Sequence, residues 1–172
     1  MELSDADRRI LRVLQPEGRI SASELARRIG MSETSCLRRM KSLEEAGVIS
    51  GYQAVVDRRQ IGFSMSAIIM VAVNQRTETD RKDFLSAIAD NPQIISCAAI
   101  TGSFDFALEA VIRDIDDLSD LTLRRLLELP SVTSMSTSIV HKWIKRDAPL
   151  PVGSGLLESQ AKRRRSSPSL HQ

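Results

Sequence analysis

The sequence predicts an α+β protein of two units, an all-helical unit over residues 1–60 and a βαββαβ unit over residues 61–146. Two observations carry this prediction. Three helical patterns, each bounded by capping or glycine signals, fill the first unit, and strand and helix patterns alternate in the second. The chain has 172 residues, 42% of them hydrophobic, which suffices for two modest cores.

The first helix is predicted to begin after Ser4. A serine there can cap the helix, and Asp5 and Asp7 place negative charge in its first turn, where the helix dipole favours it. Apolar side chains at helical spacing, with Ile10 among them, form the predicted buried face. The helix should end by Pro16, which cannot continue it.

A tight turn separates the second and third predicted helices. Ser21 and Glu24 have the spacing of a capping box at the start of the second helix. Gly30 can end that helix in a left-handed conformation, and Ser32 is the next available cap. A short helix, a glycine turn and a longer helix form a helix-turn-helix, whose second helix enters the DNA major groove. A Ser-Gly turn within residues 48–56 predicts a small flanking hairpin, or wing.

The third helix has an apolar and a polar face. Its predicted apolar face consists of Cys36, Leu37, Met40 and Leu43, and its polar face of Thr34, Ser35, Arg38, Lys41 and Ser42. Exposed helices usually place an acid three or four residues from each base. Lys41 has such acids, whereas Arg38 and Arg39 have none. Both guanidinium groups are therefore predicted to be free for an outside anion.

The second unit shows strand and helix patterns in the order βαββαβ. They are strands over 65–73, 94–100, 106–112 and 132–143, helices over 79–90 and 115–129, and a turn, TGSFD, over 101–105. This order folds as a four-stranded antiparallel sheet with both helices on one face, because crossovers are right-handed. The first two strands are apolar at both alternating positions, so the open sheet face predicts a second subunit.

Composition excludes some classes of protein. The net charge of +2 is too small to indicate nucleic-acid binding by itself. The longest near-apolar run, residues 67–73, is about a third of a membrane span, and the N-terminus lacks signal character, so a cytoplasmic protein without membrane contact is predicted. Cys36 and Cys97 are expected to be reduced core residues. Residues 147–172 are predicted to be a disordered basic tail, with KRRR at 162–165.

Residues 2–146 resemble a known family. The stretch LSDADRRILRVLQPEGRISASELARRIGMSETSCLRRMKSLEEAGVISGY, followed by a βαββαβ unit with TGSFD between its central strands, closely resembles the leucine-responsive/AsnC family of feast-or-famine transcription regulators. The resemblance implies an N-terminal winged helix-turn-helix that binds specific double-stranded DNA. It also implies a C-terminal ferredoxin-like (RAM/AsnC-type) domain that forms homodimers, often octamers, and binds an amino acid or similar small metabolite between subunits.

The resemblance also implies site residues. On the DNA-reading helix they are Ser32, Thr34, Ser35, Arg38, Arg39 and Lys41, and Arg58 and Arg59 follow near the expected backbone phosphates. The effector site maps onto Thr101, Gly102, Ser103, Phe104, Asp105 and Thr137. A plain hairpin turn, with Gly102 at a positive φ, is the alternative. Ser103 stands where the family often has an acid, which leaves recognition of an ammonium group and the class of effector open.

Other functions are possible on the same fold. Siroheme decarboxylases resemble these regulators and use histidines near a tetrapyrrole, but His141 is the only histidine before the tail and is expected at a strand end. The sequence suggests no catalytic residues, metal site or cofactor. A metabolite-binding subunit with a vestigial DNA domain would leave the third helix neutral or acidic, unlike Arg38 and Arg39. RNA binding would need exposed aromatic side chains, and the chain is 3% aromatic.

Overall fold

The computed structural model describes residues 2–74 and 77–153. They form two compact units. The N-terminal unit contains residues 2–55 together with residues 145–153, and the C-terminal unit contains residues 56–144. The division falls a few residues before the predicted boundary at 60, and the last described residues belong with the first unit. The tail beyond 153, predicted to be disordered, lies outside the described residues.

Three helices build the N-terminal unit, as predicted. They are α1 (Asp5–Leu14), α2 (Ala22–Ile29) and α3 (Glu33–Glu45). Their apolar faces meet in one core, which consists of Ile10, Leu11, Leu14, Leu25, Ala26, Ile29, Cys36 and Leu43. The turn between α2 and α3 contains Gly30 at φ 68°, a left-handed conformation that glycine adopts without steric cost.

Serine side chains cap all three helices, but the capping box forms at a different helix from the one predicted. At α1, the Ser4 hydroxyl accepts from the Asp7 amide while the Asp7 carboxylate accepts from the Ser4 amide. At α2, Ser21 accepts from the Glu24 amide, but the Glu24 carboxylate pairs with Arg27 and Arg28 instead. The two nearby guanidinium groups thus replace the backbone amide as partners of this carboxylate.

The hairpin predicted over 48–56 is not formed in this structure. These residues contain no strand, and the amides of Val48 and Ile49 both donate to the Leu43 carbonyl, at 2.9 and 3.1 Å. Further along, the Tyr52 hydroxyl donates to Glu44 on α3 at 2.8 Å. Burial and this hydrogen bond raise the pKa of Tyr52 to about 12. The segment is therefore held against α3 by single contacts rather than by strand pairing.

Residues 147–153, predicted to belong to a disordered tail, contact the N-terminal unit. The Gln15 side-chain amide donates to the Leu150 carbonyl at 3.1 Å, and the Leu150 amide donates to the Gln15 carbonyl oxygen at 2.5 Å. Val152 packs against the helical core. Glutamine offers both a donor and an acceptor, so one side chain satisfies both backbone groups of Leu150.

The C-terminal unit follows the predicted order βαββαβ. Its strands are β1 (Met65–Val73), β2 (Ile94–Ala99), β3 (Phe106–Ile112) and β4 (Val132–Ile139). Its helices are α4 (Glu78–Ala89) and α5 (Ile115–Ser119), which continues as a π-helical segment (Asp120–Leu126), and a 3-10 turn (Arg59–Ile61) precedes β1. The sheet has the order β2-β3-β1-β4, with every neighbouring pair antiparallel.

Both helices cover the same face of the sheet, as predicted. Ile69 of β1 and Leu108 of β3 are paired in register and face the helices, where they meet Phe84 of α4 and Leu121 of the π-helical segment. The rings of Phe84 and Phe106 pack with centroids 4.9 Å apart. The helices of the same chain therefore cover this face of the sheet.

The opposite face of the sheet, here called the outer face, is only partly covered within the C-terminal unit, because Ser66 and Val111 are buried at one end of it. On β1 it presents Ile68, Met70 and Ala72, which pair in register with Ser138, Ser136 and Ser134 of β4. Ala98 and Ala107 continue it on β2 and β3. The face is therefore apolar on β1 and weakly polar on β4, with small side chains at its margins.

Exposure separates the two cysteines. Cys36 is buried in the helical core as predicted, whereas Cys97 on β2 is exposed, so the prediction of a core residue is wrong there. The reason is position, because β2 is an edge strand that the helices do not fully cover. No helix in residues 2–74 and 77–153 is long and apolar enough to span a membrane.

Candidate DNA-reading helix and effector turn

Helix α3 buries few of its side chains, and most of those that remain on its surface are polar. Cys36 and Leu43 are its buried residues. At its start, the Ser32 hydroxyl accepts from the Ser35 amide at 3.3 Å and also lies 2.9 Å from the Ser35 hydroxyl. These two serines are engaged in the cap, while Thr34 stays exposed. The positive end of this helix dipole is therefore accessible to an anion such as a phosphate.

Arg38 is exposed on the middle of this surface. Within the described part of the chain, its guanidinium makes no hydrogen bond and no ion pair. Arginine carries five donors in a planar fork, which suits base edges and phosphates alike. The prediction of a free cation is confirmed for this residue.

Arg39 was predicted to be free as well, and that prediction is wrong. Its guanidinium donates to the Asp7 carboxylate at 3.0 Å and to the Ser4 hydroxyl at 3.1 Å, both at the start of α1. Burial disfavours the charged form of Asp7, but hydrogen bonds from Ser4 and Arg39 outweigh it and hold the pKa of Asp7 below its ordinary value. Arg39 thus joins α3 to α1. Unlike that of Arg38, its guanidinium is not free to bind an outside anion.

The remaining charges near the end of α3 are paired locally. Lys41 lies 3.6 Å from Glu45, with both side chains largely exposed, so the pair is weak and leaves the ammonium accessible. Glu44 accepts from Tyr52. Of the two acids within range of Lys41, Glu45 is its partner as the spacing predicts, whereas Glu44 has a partner outside the helix.

Arg58 does not lie free beside the helix-turn-helix, as the sequence suggested. It belongs to the C-terminal unit, where its guanidinium donates to Glu109 of β3 at 2.8 Å and to the Ser66 hydroxyl at 3.3 Å. The Glu109 side chain is largely buried, and a buried carboxylate is costly without a nearby cation. This cost explains its ion pair with Arg58. The neighbouring Arg59 is exposed on the 3-10 turn.

Sequence reasoning missed one feature of α3. Leu37, predicted on the apolar face, is 48% exposed. Its exposure follows from the helical wheel, because Cys36 and Leu43 define the centre of the buried face and Leu37 lies about 100° away from Cys36. The exposed position of Leu37 could have been recognised from its spacing, because Thr34 and Lys41 lie three and four residues from it on the polar side.

The predicted effector residues 101–105 form an exposed turn between β2 and β3. Gly102 has φ 128°, the positive value predicted for it, and a side chain at its Cα would meet no atom within 4 Å. Thr101 and Ser103 are exposed, and Phe104 is partly buried. The turn is therefore exposed at residues 101–103, with open space on the side where a side chain at position 102 would lie.

Asp105 holds this turn against β1. Its amide donates to the Val71 carbonyl at 2.9 Å, and its carboxylate accepts from the Val73 amide at 2.8 Å. The carbonyl of Asp105 accepts from Ile100 across the turn. The turn is thus fixed to the end of the central strand, and Asp105 already has a structural role there.

Thr137 does not join the turn within one chain. It lies on the edge strand β4, opposite Ile69, and is exposed. Among the described residues, no hydrogen bond connects it to residues 101–105.

Comparison with known proteins extends over both units. The family model "Lrp/AsnC ligand binding domain" matches residues 66–150, and "Winged helix-turn-helix DNA-binding" matches residues 3–50. The chain is 32% identical to the transcriptional regulator AzlB of Bacillus subtilis, covering 87% of this chain and 96% of that protein. It is 34% identical to the leucine-responsive regulatory protein of Rhizobium meliloti, covering 84% and 93%.

A solved structure is similarly close. The transcriptional regulator NMB0573 of Neisseria meningitidis, crystallised as a complex with L-Met, superposes with a TM-score of 0.85 at 34% identity. The match covers 90% of this chain and 99% of that one. Fold, domain order and sequence therefore agree over nearly the whole described chain.

Proposed function

This chain belongs to the Lrp/AsnC family and is a DNA-binding transcription regulator rather than an enzyme; from that premise we propose how it reads DNA. Helix α3 enters the major groove, and Arg38 makes its central contact. The observation that carries this proposal is the free, exposed guanidinium of Arg38, beside an Arg39 that is bound to Asp7. The residues facing DNA are Ser32, Thr34, Ser35, Arg38 and Lys41, with Arg59 near the phosphates.

We further propose that the effector is an amino acid or a similar small metabolite, bound at residues 101–105 and completed by Thr137 of a second subunit. The Neisseria relative crystallised with L-Met supports an amino acid. The open backbone at Gly102 supports the site, because turn amides bind carboxylates. Ser103 supplies a hydroxyl and no charge, so an ammonium group would rely on other residues.

The outer face of the sheet is the proposed dimer interface. Ile68 and Met70 lie on it and are only partly buried inside the C-terminal unit, and apolar surface of this kind marks an interaction site. A dimer places two copies of α3 on two half-sites of one operator. We propose that these dimers assemble into a higher oligomer such as an octamer and act on DNA in the cytoplasm.

One selection experiment tests this function. Genomic DNA fragments retained by the full chain are sequenced with and without a panel of amino acids. A shared sequence motif, with retention altered by one amino acid, is the expected result. Arg38→Ala should lose the motif, whereas Arg124→Ala, at an exposed arginine of the C-terminal unit, should keep it. Retained fragments without a common motif would contradict sequence-specific regulation.

A further inference from the structure

Leu37 exposes apolar surface on the most polar part of the N-terminal unit. Its side chain is 48% exposed. The helix is anchored by Cys36 and Leu43, each fully buried, so Leu37 is not needed to fill the core. Its exposed half is therefore available to a partner.

The surroundings of Leu37 indicate the chemistry of that partner. A shallow depression beside it is lined by Leu37, Arg38, Met40, Lys41 and Glu44. Arg38 adjoins it with a free guanidinium, Lys41 lies one helical turn further on, and Glu44 is occupied by Tyr52. The depression thus combines apolar surface with accessible positive charge, which fits a polyanion carrying an apolar group.

We propose that Leu37 contacts the C5 methyl group of a thymine in the operator and so determines specificity at that base pair. Among the base edges of the major groove, thymine alone presents a methyl group, and apolar side chains recognise it. Thr34 precedes Leu37 by three residues, Arg38 is adjacent and Lys41 follows by four, so these side chains lie on one strip of α3. The inference rests on the proposed entry of α3 into the groove.

Uracil substitution tests this contact, because uracil lacks only the methyl group of thymine and pairs identically. An operator obtained from the retained fragments is synthesised with each thymine replaced singly by uracil. Affinities are measured for the wild type and Leu37→Ala at one fixed salt concentration. At the contacted position, uracil should weaken wild-type binding by about fourfold, the effect of removing one methyl group from apolar contact. The same replacement should leave Leu37→Ala unaffected.

Leu150→Ala is the matched control, because it removes the same atoms from another exposed leucine of the N-terminal unit. It should retain the full wild-type response to uracil, and thermal unfolding should show that Leu37→Ala is folded. If every uracil effect persists in Leu37→Ala while Arg38→Ala still loses the motif, the proposed function stands and the thymine contact is refuted. A wild type that binds no operator above random DNA would refute both.

Discussion

The two units of this protein differ in how they close their hydrophobic cores. In the N-terminal unit, three helices surround one set of buried side chains, and the exposed face of α3 is polar. In the C-terminal unit, α4 and α5 cover one face of the sheet, and Ile68 and Met70 on the outer face are only partly buried. The first unit surrounds its core with its own helices, whereas we propose that a second subunit covers the outer face of the second unit.

The largest effect is expected from a substitution at the centre of the outer face, which should disrupt the proposed dimer. Met70→Glu places a carboxylate opposite Ser136 and Ala107 in the proposed dimer interface. An uncompensated buried charge costs about 3 to 5 kcal/mol, so the dimer should dissociate at micromolar concentration. Sedimentation of the full chain measures this. Ile115→Glu, on an exposed residue of α5, should remain dimeric. A Met70→Glu protein as dimeric as the wild type would place the interface elsewhere.

Buried carboxylates offer a second comparison, because each unit has one near the start of a helix. Asp7 binds Ser4 and Arg39 in the first unit. In the second, hydrogen bonds from the Arg113 side chain, its backbone amide and Gln93 outweigh burial and hold the pKa of Asp117 below its ordinary value. A carboxylate whose pKa is lowered by folding stabilises the protein above its unfolded pKa of about 4. That stability is lost as the pH falls through the folded value.

We therefore expect Asp7→Asn and Asp117→Asn each to lower the free energy of unfolding by about 1 to 3 kcal/mol at pH 7. The loss should shrink as the pH falls below about 4, where the wild-type carboxylates become protonated. Urea unfolding can assign each loss to a unit, because Tyr52 and Trp143 are the single tyrosine and tryptophan, one in each unit. A loss that stays constant with pH would contradict the charged form as the stabilising species.

Within the first unit, the neighbouring residues Arg38 and Arg39 are expected to have different roles. Arg38→Ala should weaken operator binding by about 1 to 3 kcal/mol, the range for a good arginine contact, and leave stability nearly unchanged. Arg39→Ala should instead lower the stability of the N-terminal unit, because it leaves Asp7 without its cation. Operator titration at fixed salt, paired with thermal unfolding, separates the two effects. Equal losses of affinity at equal stability would show that both arginines contact DNA.

The smallest effect on stability is expected at Ser103, in the turn beside the sheet. Ser103→Asp alters an exposed side chain and should change stability by less than about 0.5 kcal/mol, while favouring a ligand with an ammonium group. Gly102→Val should abolish ligand binding, because a β-branched residue is strained at φ 128°. Thermal shifts against an amino-acid panel measure both. A ligand that stabilises Gly102→Val as much as the wild type would locate the effector site elsewhere.

Local patterns determined most of the architecture. The helices of the first unit begin at the predicted serines, because capping depends on a side chain and an amide three residues apart. The order of strands and helices in the second unit follows from hydrophobic periodicity, and the positive φ at Gly102 from glycine in a tight turn. The free guanidinium of Arg38 agrees with the absence of acids within one helical turn, although the same pattern gave the wrong prediction for Arg39. Each of these features involves neighbours in sequence.

Tertiary structure decided which of the predicted site residues are available. Arg39 meets Asp7 across 32 positions and Arg58 meets Glu109 across 51, so no rule limited to one helical turn could reveal either pair. Helical spacing places Leu37 at the edge of the apolar face of α3, and the contacts of α1 and α2 with α3 leave 48% of it exposed. A periodic pattern defines the faces of a helix, but the packing of distant elements determines how wide the buried face is.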